Sequence, residues 1–391
     1  MSGDKGRTAK KSSLLSPRRV GDLNRSRVLQ ALTDHGPLSR SDLARAAGVT
    51  RATMGTIVQS LIDVGILEEH DPLTRGAIGK PARPVWFAPG AGLAVAASIT
   101  VGAVEACLVD AVGTLRGRLS VPFDDPTNPN LVTSAVARAV HEVRDGASPV
   151  GIGVAVPGAC DTATGEVLGS GRVPGADGRR IFDQLSTTGL PVFIDNDSRA
   201  QAAAERWFGA GRGVETFASV QTGDGLGVGL VLDNAIIRSR HGSAGEVGHT
   251  CVVPDGDPCD CGLRGCWETI ASLRWLRREA QAAGLPNASA TTCEQVMALA
   301  DHSAEAADLA ERYAANLSVG LANLNQVLSL EVFILHGDAL GGGEAFRRML
   351  ERNARARSLS RLSVVHSPLG ADATLLGASA LVLSETFRLV A

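Results

Sequence analysis

The chain has 391 residues, 44% hydrophobic and 20% charged, with a formal net charge of −3, an ordinary profile for a soluble globular protein of two or three domains. It has no apolar run of about eighteen residues, which excludes a transmembrane helix, and its start, MSGDKGRTAKKSSLLSPRRV, is basic and polar without the apolar stretch of a secretory signal. A cytoplasmic protein is expected, one whose cysteines stay reduced and bind metal where they cluster.

Charge is unevenly spread. Residues 1–89 hold 14 Lys/Arg against 8 Asp/Glu, and the remainder holds 24 against 33. A basic head on an acidic body points to a polyanionic partner for the head. Residues 1–20 read as a disordered basic arm. A helical pattern follows from Leu23 to Asp34, with Val28, Leu29 and Leu32 on one face. In GPLSRSDLARAAG, Pro37 breaks the chain, Ser39 and Asp42 have capping-box spacing, and Gly48 ends a short helix.

Thr50 caps the next helix, TRATMGTIVQSLIDVG. Met54, Ile57, Val58 and Leu61 form its buried stripe, leaving Arg51, Thr53, Thr56 and Gln59 as its polar side. Strands around Ile66–Glu69 and Val85–Ala88 frame a wing, from which Arg75, Lys80 and Arg83 can reach phosphate or the minor groove. Residues 21–89 thus read as a winged helix-turn-helix for a double-stranded DNA operator. Its second helix would meet base edges in the major groove. The alternative for such a head is a small helical bundle used for protein contacts.

From about residue 90 the texture changes. AVAASITV, EACLVDAVGTLRG, VGIGVAVPG, LPVFIDND and FASVQTGDGLGVGLVLDNAII read as strands with turns. NLVTSAVARAVHEV, SRAQAAAERWF and ADLAERYAANLSVGLANLNQVL read as helices. Two strand-rich blocks in series, each followed by helices, predict an α/β body of two similar lobes around a cleft.

PVFIDND, AGEVGH and CDCGLRGCWE, behind a winged helix-turn-helix, resemble the ROK family of repressors and sugar kinases, the repressor branch in particular. The resemblance runs from about residue 21 to the end. It implies an actin-like ATPase body at 90–391, with lobes at about 90–205 and 206–391 and a zinc loop at 245–269. His249, Cys259, Cys261 and Cys266 match the family's zinc motif. Thiolate and imidazole suit tetrahedral zinc, and four protein ligands leave no position for a catalytic water, so the metal is structural.

The resemblance also implies sugar contacts from Gly158, Asn196, Asp197, Glu246, His249 and Glu268, with Asp197 matching the kinases' catalytic base. A carboxylate such as Glu246 or Glu268 can accept two hydroxyl donors at once. One stretch departs from the family: its Asn-Leu-Pro-Gly-Trp becomes RVPGA, with Arg172 for a sugar-binding Asn and Ala176 for the Trp.

The features that nucleotide use requires are degraded. SITVG stands for the family's Asp-Ile-Gly-Gly-Thr, TGDGLGVG gains Asp224, and HGDAL replaces a glycine pair near adenosine. A carboxylate beside polyphosphate repels it unless metal intervenes. The expected function is a sugar-responsive repressor without kinase chemistry. It would act as a homodimer or dimer of dimers, with a small sugar or amino sugar as effector and no membrane association. The alternatives are a sugar kinase that also binds DNA, argued by Asp197, and a regulator controlled by a partner protein.

Overall fold

The structure, a computed structural model, describes residues 17–71, 83–161, 164, 166–238 and 245–388. Helix α1 (Pro17–His35) begins at a proline, which the first helical turn tolerates because an N–H there has no intrahelical partner. Residues 17–20, expected in the disordered arm, are therefore helical; residues 1–16 lie outside the described residues. A short strand, β1 (Leu38–Ser39), leads into α2 (Arg40–Ala46). The Ser39 hydroxyl accepts from the Asp42 N–H at 3.2 Å and donates to the Asp42 carboxylate at 2.7 Å. Thr50 caps α3 (Arg51–Asp63) by accepting from the Thr53 N–H at 3.2 Å.

Met54, Val58 and Leu61 of α3 are fully buried against Val28, Leu29 and Leu32 of α1. Strands β2 (Leu67–Glu69) and β3 (Pro84–Phe87) pair antiparallel, and β1 adds to the other side of β3, giving the order β1-β3-β2. The expected wing arginine Arg75 and lysine Lys80 lie outside the described residues.

The first lobe opens with a meander of β4 (Ala94–Thr100), β5 (Ala103–Val109) and β6 (Leu115–Pro122), followed by α4 (Pro129–Val143). Next come β7 (Ile152–Val156), a hairpin of β8 (Ala159–Asp161) and β9 (Glu166–Gly169), α5 (Gly178–Ser186) and β10 (Val192–Asn196). The sheet order β10-β7-β4-β5-β6 is parallel across β10, β7 and β4. Helix α6 (Asp197–Phe208) leaves the end of β10 directly.

The second lobe has β11 (Phe217–Thr222), β12 (Leu226–Leu232) and β13 (Ala235–Ile236), then α7 (Trp267–Ala271), α8 (Leu273–Ala282), α9 (Cys293–Ala300) and α10 (Ala304–Leu328). It ends with β14 (Val332–Gly337), α11 (Gly343–Ala356) and β15 (Ser363–His366), in a sheet of order β13-β12-β11-β14-β15. The last helix, α12 (Ala373–Phe387), does not stay with this lobe. It packs on α6 and on β4, β7 and β10, with Leu375, Leu376 and Ala378 clustered among Ala96, Cys107, Ala155 and Ala200. A lobe boundary at 205/206 therefore suits the two sheets but not α12, whose small side chains let it close on the alanines of α6. Among the described residues no helix is long and apolar enough to cross a membrane.

The head shares its core with the body. Phe87 of β3 stacks on Phe387 of α12 at 5.5 Å between ring centroids and lies 6.0 Å from Trp207 of α6. Arg212 stands over the Trp86 ring at 5.4 Å, and Arg206 faces Asp34 of α1 at 3.8 Å. Such aromatic contacts add to the area they bury, so the head is seated against α6 and α12.

Candidate functional site

Four side chains of the loop after β13 converge as the spacing predicted. The Cys259 Sγ lies 3.5 Å from His249 Nδ1, the Cys261 and Cys266 sulfurs are 3.7 Å apart, and all four ligand atoms fall within 4.8 Å of one another. A tetrahedron with zinc–sulfur bonds of about 2.3 Å has edges of about 3.8 Å, so these donors fit such an ion. Burial pushes the Cys259 and Cys266 thiols above their ordinary value. A metal would have to displace those protons. The loop has little core of its own; Cys266 and Trp267 are its buried anchors, with the indole donating to the Asn316 carbonyl at 3.0 Å.

Beside this cluster a cleft of about 720 Å³ opens between the lobes, lined by Gly158, Asn196, Asp197, Glu246, His249 and Glu268 together. These residues come from four separate segments, and only the fold brings them together. His249 turns Nδ1 to the sulfurs and lies 3.9 Å through Nε2 from Glu246, so a metal at Nδ1 would leave Nε2 for the cleft. Glu268 is 6% exposed; one oxygen accepts from the Leu226 N–H at 3.3 Å, and the other lies 3.2 Å from Cys259 Sγ. Burial raises the Glu246 carboxyl above its ordinary value.

Asn196 ends β10 and caps α6. Its Oδ1 accepts from the N–H groups of Ser198 and Arg199 at 3.0 and 3.1 Å, and its Nδ2 donates to the Gly158 carbonyl at 2.9 Å and to Asp197 at 3.1 Å. That uses two donors and two acceptor positions, all that an amide offers. Asp197 follows at the first helical position, and burial pushes its carboxyl above its ordinary value despite the Ser198 N–H at 2.8 Å.

The side of the cleft where the resemblance places nucleotide differs. SITVG is the tight β4–β5 turn, where the Thr100 hydroxyl donates to the Ala103 carbonyl at 3.0 Å and Val101 stands 60% exposed at the cleft. TGDGLGVG is the β11–β12 hairpin. A Cβ at Gly227 or Gly229 would collide with Ser198 at the start of α6, whereas Gly223 is open. Two of the four glycines therefore serve helix packing. Asp338 of HGDAL accepts from the Cys293 N–H at the start of α9 with both oxygens, at 3.2 and 3.1 Å. Burial lifts its carboxyl to about 6.

Two residues were not singled out from sequence, one behind the cleft wall and one in it. Arg199 is 2% exposed, holding Asp195 at 2.6 Å and the Cys160 carbonyl at 2.7 Å, and so ties the 157–160 loop to α6. An arginine in a helical pattern reads as solvated; the Asp195–Arg199 spacing was the available signal. Arg274 lines the cleft beside Asp260 and Glu268.

On the head, Arg51 and Thr56 are exposed on α3, while Thr53 is half-buried and bonded to the Thr50 hydroxyl at 2.9 Å. Gln59 donates to Asp63 at 2.9 Å, and Arg83 lies 3.7 Å from Asp71 at the base of the wing.

Comparison with known proteins covers both parts. Residues 96–385 match the ROK family and residues 22–75 match the MarR family. The xylose repressor of Caldicellulosiruptor bescii is 27% identical over 93% of this chain and 96% of its own length. A glucokinase of Halalkalibacterium halodurans is 30% identical over 70% of this chain and 90% of its own. A crystal structure of a ROK family transcriptional regulator, a homologue of the E. coli MLC protein, superposes with a TM-score of 0.77 at 26% identity, covering 95% of this chain and 98% of that one.

Proposed function

The chain belongs to the ROK family, and from that membership we propose that it is a sugar-responsive DNA-binding repressor, with its effector held in the cleft between the lobes. The observation that carries this reading is the full-length match to a repressor and to a regulator of known structure, head included, where the glucokinase match spans a smaller share of the chain. A body without phosphate-binding glycines at the β4–β5 turn fits binding rather than phosphoryl transfer.

In this reading Glu246, Glu268 and His249 meet the sugar hydroxyls. Asp197 accepts one, and Asn196 acts by holding Gly158 and Asp197 in place. Zinc is the metal the Cys3His donor set prefers; when bound, it fixes the loop that carries Glu246 and Glu268. Arg51, Thr56 and, less directly, Thr53 and Gln59 face the major groove, with Arg83 and Lys80 reaching the backbone. Two heads in a homodimer, or in a dimer of dimers, would engage half-sites about one helical turn apart. Sugar binding that narrows the cleft would move α6, which is packed against both lobes and the head, and so alter head placement.

Thermal shift of the zinc-loaded protein against neutral sugars, amino sugars and their phosphates, with and without Mg-ATP, tests the reading. Binding to the folded state raises the melting temperature by mass action. A shift from one sugar, unchanged by Mg-ATP, is expected. No shift from any sugar would sink the effector site. Asp197, a half-buried carboxylate of the cleft whose pKa is raised above its ordinary value, favours a kinase as second reading. Sugar-dependent release of ADP would establish it.

A further inference from the structure

Arg172 and Asp224 face each other across the mouth of the cleft from opposite lobes. Arg172 stands on the turn between β9 and α5, and this turn is pinned to the first lobe. Val173 and Ala176 are buried in that lobe's core, the Val173 N–H donates to the Ser170 hydroxyl at 3.1 Å, and the Gly175 N–H donates to the Pro126 carbonyl at 2.7 Å. Asp224 stands on the β11–β12 turn of the second lobe, where Arg277 of α8 holds one of its oxygens at 2.8 Å. Its other oxygen lies 3.7 Å from the Arg172 guanidinium, too far for a hydrogen bond.

We propose that Arg172 and Asp224 form an ion-pair clasp that shuts over an uncharged monosaccharide and disfavours its phosphate ester. The proposal rests on the cleft being the effector site. The pair is asymmetric in a useful way: Asp224 is oriented by Arg277 whether the cleft is open or closed, while Arg172 gains its charge-assisted bond only when the lobes approach by about 1 Å. An interaction stronger in the closed state favours that state, and a ligand that binds the closed cleft inherits the gain. The clasp lies on the hairpin where the resemblance places nucleotide phosphates. It gives the second lobe a partner on the first without a nucleotide between them.

The same charges set the ligand class. Asp197, Asp224, Glu246, Asp260 and Glu268 line the cleft against Arg172 and Arg274. Arg274 is already engaged by Asp260 and lies 3.5 Å from Glu268. An added phosphate would therefore meet an excess of carboxylates and would draw Arg172 away from Asp224.

Calorimetric titration of the full-length, zinc-loaded protein tests this, using the neutral sugar that gives the largest thermal shift and a phosphate ester of the same sugar. Wild type, Arg172→Ala, Asp224→Ala, the double variant and Arg172→Lys are compared, with circular dichroism confirming the fold of each. Each alanine variant should weaken neutral-sugar binding by roughly two- to fivefold, as half-exposed ion pairs do, and the double variant should be no weaker than either. Arg172→Lys should recover part of the loss, and the ester should bind about tenfold more weakly than the neutral sugar. Unchanged affinity in the single variants, or losses that multiply in the double, would overturn the clasp while leaving the effector site standing. An ester that binds more tightly than the sugar, through Arg172, would overturn it too. Absence of any sugar binding by wild type would remove the effector site and the clasp together.

Discussion

Asn196 and Trp207 stand at opposite ends of α6: Asn196 lines the cleft and caps the helix, and Trp207 lies in the aromatic core of the head, 6.0 Å from Phe87. They are eleven steps apart along the helix, about 16.5 Å at 1.5 Å per residue. Nearly the whole helix is buried between α12 and the second lobe's sheet, so in the proposed mechanism a displacement at the cleft would carry to the head as a rigid shift.

Loosening the far end of that helix should uncouple the two functions. Phe387→Leu keeps an apolar side chain but loses the stack on Phe87, and should cost about 1 kcal/mol of stability. Sugar affinity should stay within about twofold, while the sugar's effect on operator affinity falls. Fluorescence anisotropy with DNA selected by the wild-type protein, with and without sugar, reads both. An unchanged sugar response would show that coupling runs elsewhere.

The two ends of the recognition helix should differ. Arg51 is exposed at the start of α3 with no ion pair among the described residues, so Arg51→Ala should cost about 1–3 kcal/mol of operator binding. Gln59 is bonded to Asp63, and its alanine variant should cost less. Equal losses in electrophoretic mobility shift at one salt concentration would refute this order.

Metal content answers the Cys3His reading directly. Cys261→Ser should lower zinc from about one per chain to near none in atomic absorption, and lower the melting temperature, as expected if the loop takes its shape from the ion. Full zinc content in the variant would remove Cys261 from the ligand set.

Two glycines of one hairpin should respond differently to the same substitution. Gly229→Ala drives a methyl into the Ser198 carbonyl, which backbone cannot easily vacate, and should destabilise by about 1–3 kcal/mol. Gly223→Ala meets open space and should be near neutral. Chemical denaturation compares them. A neutral Gly229→Ala would mean that α6 does not sit as closely on β12 as the structure has it.

Asp338 offers a pH test. Its folded pKa, about 6, lies above the unfolded value of 3.8, so the protonated acid is the form the fold favours. The stability this contributes is fully present below pH 3.8 and is lost as pH rises through 6. Asp338→Asn keeps an acceptor for the Cys293 N–H and removes the charge, so it should gain about 2 kcal/mol at pH 7.5 and little at pH 4. Urea melts at both values decide; a gain independent of pH would assign the effect to something other than this carboxyl.

Much of the head and the metal cluster could be read from the chain alone. Ser39 and Thr50 cap helices through N–H groups three residues on, and the stripe Met54, Val58 and Leu61 is a helical repeat, so their information is local. Cys259, Cys261 and Cys266 sit in one short loop, and a ligand set that close in sequence can hardly avoid meeting. The cleft residues Asn196, Glu246 and Glu268 were legible as candidates through family motifs, but their division of labour was not.

What only the tertiary structure decided concerns partners far apart in the chain. Asn196 is saturated because Gly158 lies across from it, Gly229 is needed because α6 presses on β12, and Arg172 meets Asp224 because two turns from different lobes share one mouth. The return of α12 to the first lobe is of the same kind. Periodicity and caps are set by hydrogen bonds and sterics within a few residues. A long-range contact depends on how whole elements pack, and a charged or small residue carries no mark of which distant surface it will meet.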